Sequence, residues 1–129
     1  MPIRYIHKRF NSFRYAIKGI GAAFRSEQNM QLHVLAAVLV VLAGLFFDIN
    51  RSEWGLVALA IGLVWSAEIM NTAVETVVNL VSPEQHPLAG KAKDLAAGAV
   101  LVAALTAVVI GLLVFGPKLA AYISSPEIS

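Results

Sequence analysis

The sequence predicts an all-α membrane protein: one amphipathic helix in the membrane interface, followed by three transmembrane helices. Three observations carry that prediction. The chain is 58% hydrophobic and 14% charged, with a mean hydropathy of +0.73. A soluble domain has about 45–50% apolar and about 25% charged residues. Three long apolar runs are separated by short polar breaks, and six of the ten Lys and Arg crowd into the first 29 residues. A chain of 129 residues makes one domain, here 1–129. No strand pattern and no internal repeat is visible.

The first helix is expected over residues 5–26. Ile6, Phe10, Phe13, Ile17, Ile20 and Phe24 recur at steps of four and three, which is one helical stripe. Lys8, Asn11, Arg14, Lys18 and Arg25 fall on its other faces. Six basic residues against one acid, Glu27, give residues 1–29 a net charge of +5. An apolar aromatic stripe backed by basic residues suits a helix lying in the interface. A packed helix or a basic arm for nucleic acid would share the charge but not the lipophilic context, so no nucleic-acid partner is expected. No signal peptide is expected either, because no short apolar h-region follows the basic start.

The first span is expected over 30–48, short for the roughly 20 residues a bilayer needs. Asp48, Asn50, Arg51 and Ser52 mark a turn, and Trp54 suits an interfacial anchor. The second span is expected over 54–82, where only Glu68 and Glu75 are charged. A polar loop with two prolines and two lysines follows. The third span, 94–116, carries Asp94 at its start, and Pro117 and Lys118 are expected to end it. Eight basic residues lie on the side of the N-terminus and the Lys91–Lys93 loop, and two, Arg51 and Lys118, on the other. The positive-inside rule then puts the N-terminus in the cytoplasm and, after three crossings, the C-terminus outside.

Helical rise places the acids. Glu68 is fourteen residues beyond Trp54, roughly 21 Å deeper, and Glu75 roughly 31 Å. Against a hydrocarbon core about 30 Å thick, Glu68 lies in the cytoplasmic half and Glu75 at the rim. Glu68, Asn71, Thr72, Glu75 and Asn79 share one stripe. Asn and Thr alone would serve to glue helices together, but intramembrane carboxylates usually mark a function. A carboxyl turned toward an apolar interior suits a general base for a buried hydroxyl. A rim carboxylate suits Mg²⁺, a hard cation that takes oxygen ligands and phosphates. Glu27 is a further carboxylate at that level, and the loop lysines suit phosphate. The pattern fits a phosphate donor in the cytoplasm and a lipid alcohol in the bilayer. It fits a proton-coupled transporter as well.

Other chemistries lack their residues. There are no cysteines, hence no disulfides, thiolate metal sites or cysteine nucleophile. Gly90-Lys91 is followed by Ala92 and does not complete a phosphate-binding Walker motif. His7, His33 and His86 have no metal-ligand spacing and read as interfacial or structural. The serines have no histidine and acid arranged around them.

The segment EIMNTAVETVVN, Glu68 to Asn79, resembles the signature of the small prokaryotic diacylglycerol kinases, departing only at its last position, where Asn79 stands in place of Asp. The likeness extends from about Lys8 to Phe115 and includes AAFRSEQN and HPLAGKAKDLAAGAVL. The resemblance implies a homotrimeric multi-pass kinase of the bacterial inner membrane, with active sites at subunit boundaries near the cytoplasm. It implies Glu68 as the base that deprotonates the lipid hydroxyl and Asn71 as the residue that orients the site, both touching the lipid. Glu27 and Glu75 would be ligands for Mg²⁺ bound to ATP. Lys93 and Asp94 match nucleotide-contacting positions, with His86 and Gly90 nearby and Lys8 and Tyr15 as further contacts on the first helix. The family phosphorylates diacylglycerol in one branch and undecaprenol in the other. SPEQHPLAGKAKDLAAGAVL and NSFRYAIKG look more similar to the undecaprenol branch.

Overall fold

A computed structural model describes residues 2–127, in four helices. α1 spans Pro2–Ser26, α2 Gln28–Phe46, α3 Arg51–Val81 and α4 Pro87–Ile123. The described residues contain no strand. α2, α3 and α4 are each long and apolar enough to cross a membrane. α3 and α4 form the main hairpin, α2 packs on α3, and α1 touches α2 and α3. The α1–α2 junction and the α3–α4 loop therefore share one end of the bundle. The α2–α3 turn and the end of α4 share the other.

α1 is already helical at Pro2, three residues before the expected start, which fits proline's preset backbone angle at a first helical position. Its apolar stripe remains exposed, including Ile6, Phe10, Phe13 and Ile17. Only its last turns pack: Ala23 is buried, and Phe24 meets Trp65 of α3 edge-on at 5.2 Å. Gln31 Nε2 donates to the carbonyls of Phe24 and Arg25 at 3.4 and 3.5 Å, satisfying acceptors that the helix end leaves open. The break between α1 and α2 narrows to Glu27 alone. The polar residues Gln28 and Asn29 join α2, whose bounds lie two residues earlier than expected at each end.

The α2–α3 turn is tight. Asp48 adopts φ 50°, a left-handed angle that Asp tolerates better than branched residues do. Asn50 then caps α3 in a capping box: its Oδ1 accepts from the Glu53 backbone at 2.9 Å, and the Glu53 side chain accepts from the Asn50 backbone at 3.1 Å. These bonds start α3 at Arg51, so Arg51 and Ser52 are helical rather than turn. Trp54 is half-buried, its ring facing Gly44, rather than a free anchor. Ile49, Val57 and Val114 form a buried core with Val40, Phe47, Trp54, Ile61, Ile110 and Phe115 around it.

α4 departs most from expectation. It begins at Pro87, seven residues before Asp94, because Pro87 occupies a first-turn position and the His86 side chain caps the helix, Nδ1 accepting from the Leu88 backbone at 3.1 Å. It also continues through Pro117, which does not end it. A proline inside a helix costs about 3 kcal/mol or more. Contacts hold the turns beyond it: Tyr122 lies 5.6 Å from Phe46 and 6.1 Å from Phe47, and Lys118 pairs with Glu53 at 3.2 Å.

Candidate active site

The buried face of α3 consists of Val57, Ala60, Val64, Glu68 and Asn71, at steps of three and four. One stripe thus changes character along its length, apolar from Val57 to Val64 and polar from Glu68 onward. Glu68 is only 2% exposed and Asn71 8%. Glu75 continues the line and is half-buried. Asn71 Nδ2 donates to Glu75 Oε1 at 3.4 Å, joining two of the expected site residues. Asn71 Oδ1 is the one buried side-chain polar atom among the described residues that lacks a hydrogen-bond partner. Such an acceptor costs about 1–3 kcal/mol when left unpaired. Thr72 Oγ1 donates to the Glu68 carbonyl at 3.1 Å and Thr76 Oγ1 to the Thr72 carbonyl at 2.7 Å, so these hydroxyls serve their own helix.

Glu68 meets α2. His33 Nε2 lies 3.6 Å from Glu68 Oε2, so a histidine that read as interfacial or structural stands beside the enclosed carboxylate. The contact joins two helices, α2 and α3, and no spacing within either one encodes it. His33 also closes one end of an apolar cavity of about 340 Å³ between α2, α3 and α4, bounded at its other end by Phe115.

A second, polar cleft of about 610 Å³ lies at the α3–α4 loop. It brings together His86, Gly90 and Lys93, with Asn79 and Glu84 on its wall. Lys93 Nζ donates to Asn79 Oδ1 at 2.6 Å, so the residue that departs from the family signature holds a lysine with a neutral oxygen. The Gly90 backbone donates to the His86 carbonyl at 3.0 Å, closing the first turn of α4. Asp94 is exposed beside Lys93 on α4 and does not line this cleft. Neither does Glu75. Glu27 is half-buried at the α1–α2 junction, where its side chain makes no capping bond. Lys8 and Tyr15 are exposed on α1, away from both cavities. Within one chain seven of the ten expected residues therefore form three groups, Glu68 with Asn71 and Glu75, the His86–Gly90–Lys93 cleft, and Glu27 at the elbow, with Asp94, Lys8 and Tyr15 outside them. No cluster of three or more metal-ligating side chains occurs among the described residues.

The family profile for prokaryotic diacylglycerol kinase matches residues 14–115. The chain is 44% identical over 114 residues to the undecaprenol kinase of Bacillus subtilis, covering 88% of this chain and 93% of that protein. It is 43% identical over 101 residues to a diacylglycerol kinase of Synechocystis, covering 78% of this chain and 58% of that longer protein. It is 35% identical over 95 residues to the diacylglycerol kinase of Escherichia coli, covering 74% of this chain and 78% of that protein. The chain belongs to the prokaryotic diacylglycerol kinase family and is a lipid kinase.

Proposed function

We propose that this kinase transfers the γ-phosphoryl group of ATP to undecaprenol at the cytoplasmic face of a bacterial cell membrane. The observation that carries the reaction is the buried stripe of α3, which turns polar at Glu68 and runs on toward the lysine-bearing loop. The choice of alcohol is supported by the 44% identity to an undecaprenol kinase along nearly the full length of both chains. Diacylglycerol is the second reading, favoured by the family and by its E. coli member.

In this reading Glu68 takes the proton of the lipid hydroxyl. The lipid oxygen bonds to the γ-phosphorus as the bond from that phosphorus to ADP breaks. Asn71 orients the site from both ends of its amide: Nδ2 steadies Glu75, and the unpaired Oδ1 accepts a bond from the substrate. The polar cleft receives the nucleotide through His86, Gly90 and Lys93, with Asp94 beside it. Lys8 and Tyr15 on α1 are further nucleotide contacts. Glu75 and Glu27 would hold Mg²⁺. Both are half-buried carboxylates that form no ion pair among the described residues, and Mg²⁺ characteristically binds through one or two carboxylates plus substrate phosphates. Bound there, the ion supplies positive charge to the phosphate oxygens.

The basic residues near the N-terminus support a cytoplasmic location for it. Large apolar side chains are left exposed along all three long helices, among them Leu35, Leu59, Leu63, Leu101 and Leu105. Lipid and sister subunits of a homotrimer would cover them, and a subunit boundary would bring the separated groups of the site together. The test supplies γ-labelled ATP with undecaprenol or diacylglycerol in separate vesicles. Faster labelling of undecaprenol is expected, and preference for diacylglycerol would reverse the assignment. Glu68→Gln is expected to abolish transfer while preserving the trimer. Wild-type turnover in that variant would remove Glu68 as the base.

A further inference from the structure

Glu68 is the most enclosed acidic side chain among the described residues. It is 2% exposed, and a carboxylate so enclosed stays charged only with a charged or hydrogen-bonding partner. Its own helix supplies none. Thr72 bonds to the Glu68 main-chain carbonyl, and Asn71 turns its amide nitrogen to Glu75. The apolar cavity beside it offers hydrocarbon from Ala36, Ala37, Val64 and Ala104, and side-chain N–H groups only from Trp65 and His33. His33 Nε2 is 3.6 Å from Glu68 Oε2 and is the single ion-pair partner that Glu68 has among the described residues.

We propose that His33 is a positioning residue for phosphoryl transfer. Its Nε2 faces Glu68 Oε2 at 3.6 Å, a contact that tightens to an Nε2–H donation in the substrate complex, fixes the carboxylate's orientation and leaves Oε1 to face the lipid hydroxyl. This rests on the reading of Glu68 as the base, and it extends the site from the α3 stripe to α2. The proton balance is closed. The hydroxyl proton passes to Glu68 Oε1 as the lipid oxygen bonds to phosphorus and ADP departs. His33 keeps its own proton throughout and touches no reacting atom. The contact also accounts for an imidazole placed at one end of a largely apolar cavity.

The experiment measures kcat and KM per folded molecule for His33→Ala, His33→Gln, His33→Phe and Glu68→Gln, with the lipid alcohol that the wild type turns over faster. Pulse proteolysis gives the folded fraction of each variant. His33→Ala is expected to lower kcat roughly 10- to 100-fold, the range of one hydrogen bond to a charged group, with KM for ATP changed less than about 2-fold, since the nucleotide cleft is separate. His33→Gln keeps an N–H donor and should recover most of the loss; His33→Phe keeps the bulk but not the donor and should not. Adding His33→Ala to Glu68→Gln should change the residual rate little, because the two act as one unit. Wild-type kcat in His33→Ala, beside an inactive Glu68→Gln, overturns this inference and leaves the base assignment standing. Recovery by Phe equal to that by Gln also overturns it, since the role is then one of packing. Wild-type turnover in Glu68→Gln instead overturns the base assignment itself.

Discussion

Gly44→Ala is expected to destabilise the α2–α3 hairpin while leaving the chemistry intact. A Cβ added at Gly44 would stand 2.6 Å from Trp54 Cη2, 3.0 Å from Trp54 Cζ2 and 3.1 Å from Ile49 Cδ1. Carbon atoms in contact prefer roughly 3.5–4.0 Å, so the indole must retreat by about 1 Å. An indole is rigid, and Ile49 behind it is only 4% exposed. Overpacking of this kind costs about 1–3 kcal/mol, or roughly a 5- to 150-fold fall in the folded-to-unfolded ratio. Pulse proteolysis across a series of denaturing detergent fractions reads that change. Trp54→Phe removes the atoms that clash, so the double variant should be more stable than the sum of the single effects predicts, by about 1 kcal/mol. Glu68 lies roughly 21 Å along the helix from Trp54, so kcat per folded molecule should stay at the wild-type value. Strict additivity in the double variant would refute the steric argument. A lower kcat per folded molecule would refute the separation of hairpin from site.

Further outcomes follow from other contacts. Asn79→Asp replaces a neutral acceptor with an anion 2.6 Å from Lys93; partial neutralisation of Lys93 should raise KM for ATP roughly 2- to 5-fold with kcat held, the range of an exposed ion pair, and an unchanged KM would detach Lys93 from the nucleotide. Asn71→Ala removes the amide that steadies Glu75; the Mg²⁺ concentration for half-maximal activity should rise about 10- to 100-fold, as for lost supports of metal ligands, and no change in a Mg²⁺ titration would free Glu75 from that role. Asn50→Ala breaks the capping box of α3 and should cost about 1 kcal/mol of stability, visible in the same proteolysis series without a change in kcat.

The number and kind of the helices were legible because unbroken apolar runs leave a chain few alternatives. Their ends were not, and each miss has a local cause. Asn50 and Glu53 form the three-residue spacing of a capping box, which extends α3 into what reads as turn composition. His86-Pro87 looks like loop punctuation, yet proline fits a first helical turn and the histidine caps it. Pro117 looks like a stop, yet Tyr122 and Lys118 find partners beyond it. The site divides in the same way. Asn71 and Glu75 were readable together because helical spacing alone places them. The His33–Glu68 contact depends on how α2 is rotated against α3, which no single-helix pattern encodes.

Two chemistries can use a buried intramembrane carboxylate, phosphoryl transfer and ion coupling, and family membership selects the first. The course of the α3 stripe gives that choice a physical basis. Ion coupling across a membrane needs polar groups that continue through the span, because a charge stranded in hydrocarbon is costly. Here the polar residues run one way only. From Glu68 the buried face leads through Asn71 toward the α3–α4 loop and its cleft. In the other direction it is closed by Val64, Ala60 and Val57, and then by the core of Ile49, Val57 and Val114. A stripe that is polar toward one end and sealed by packed hydrocarbon at the other does not run through the span as an ion path would. The apolar cavity alongside it is lined at one end by His33, the residue that also faces Glu68.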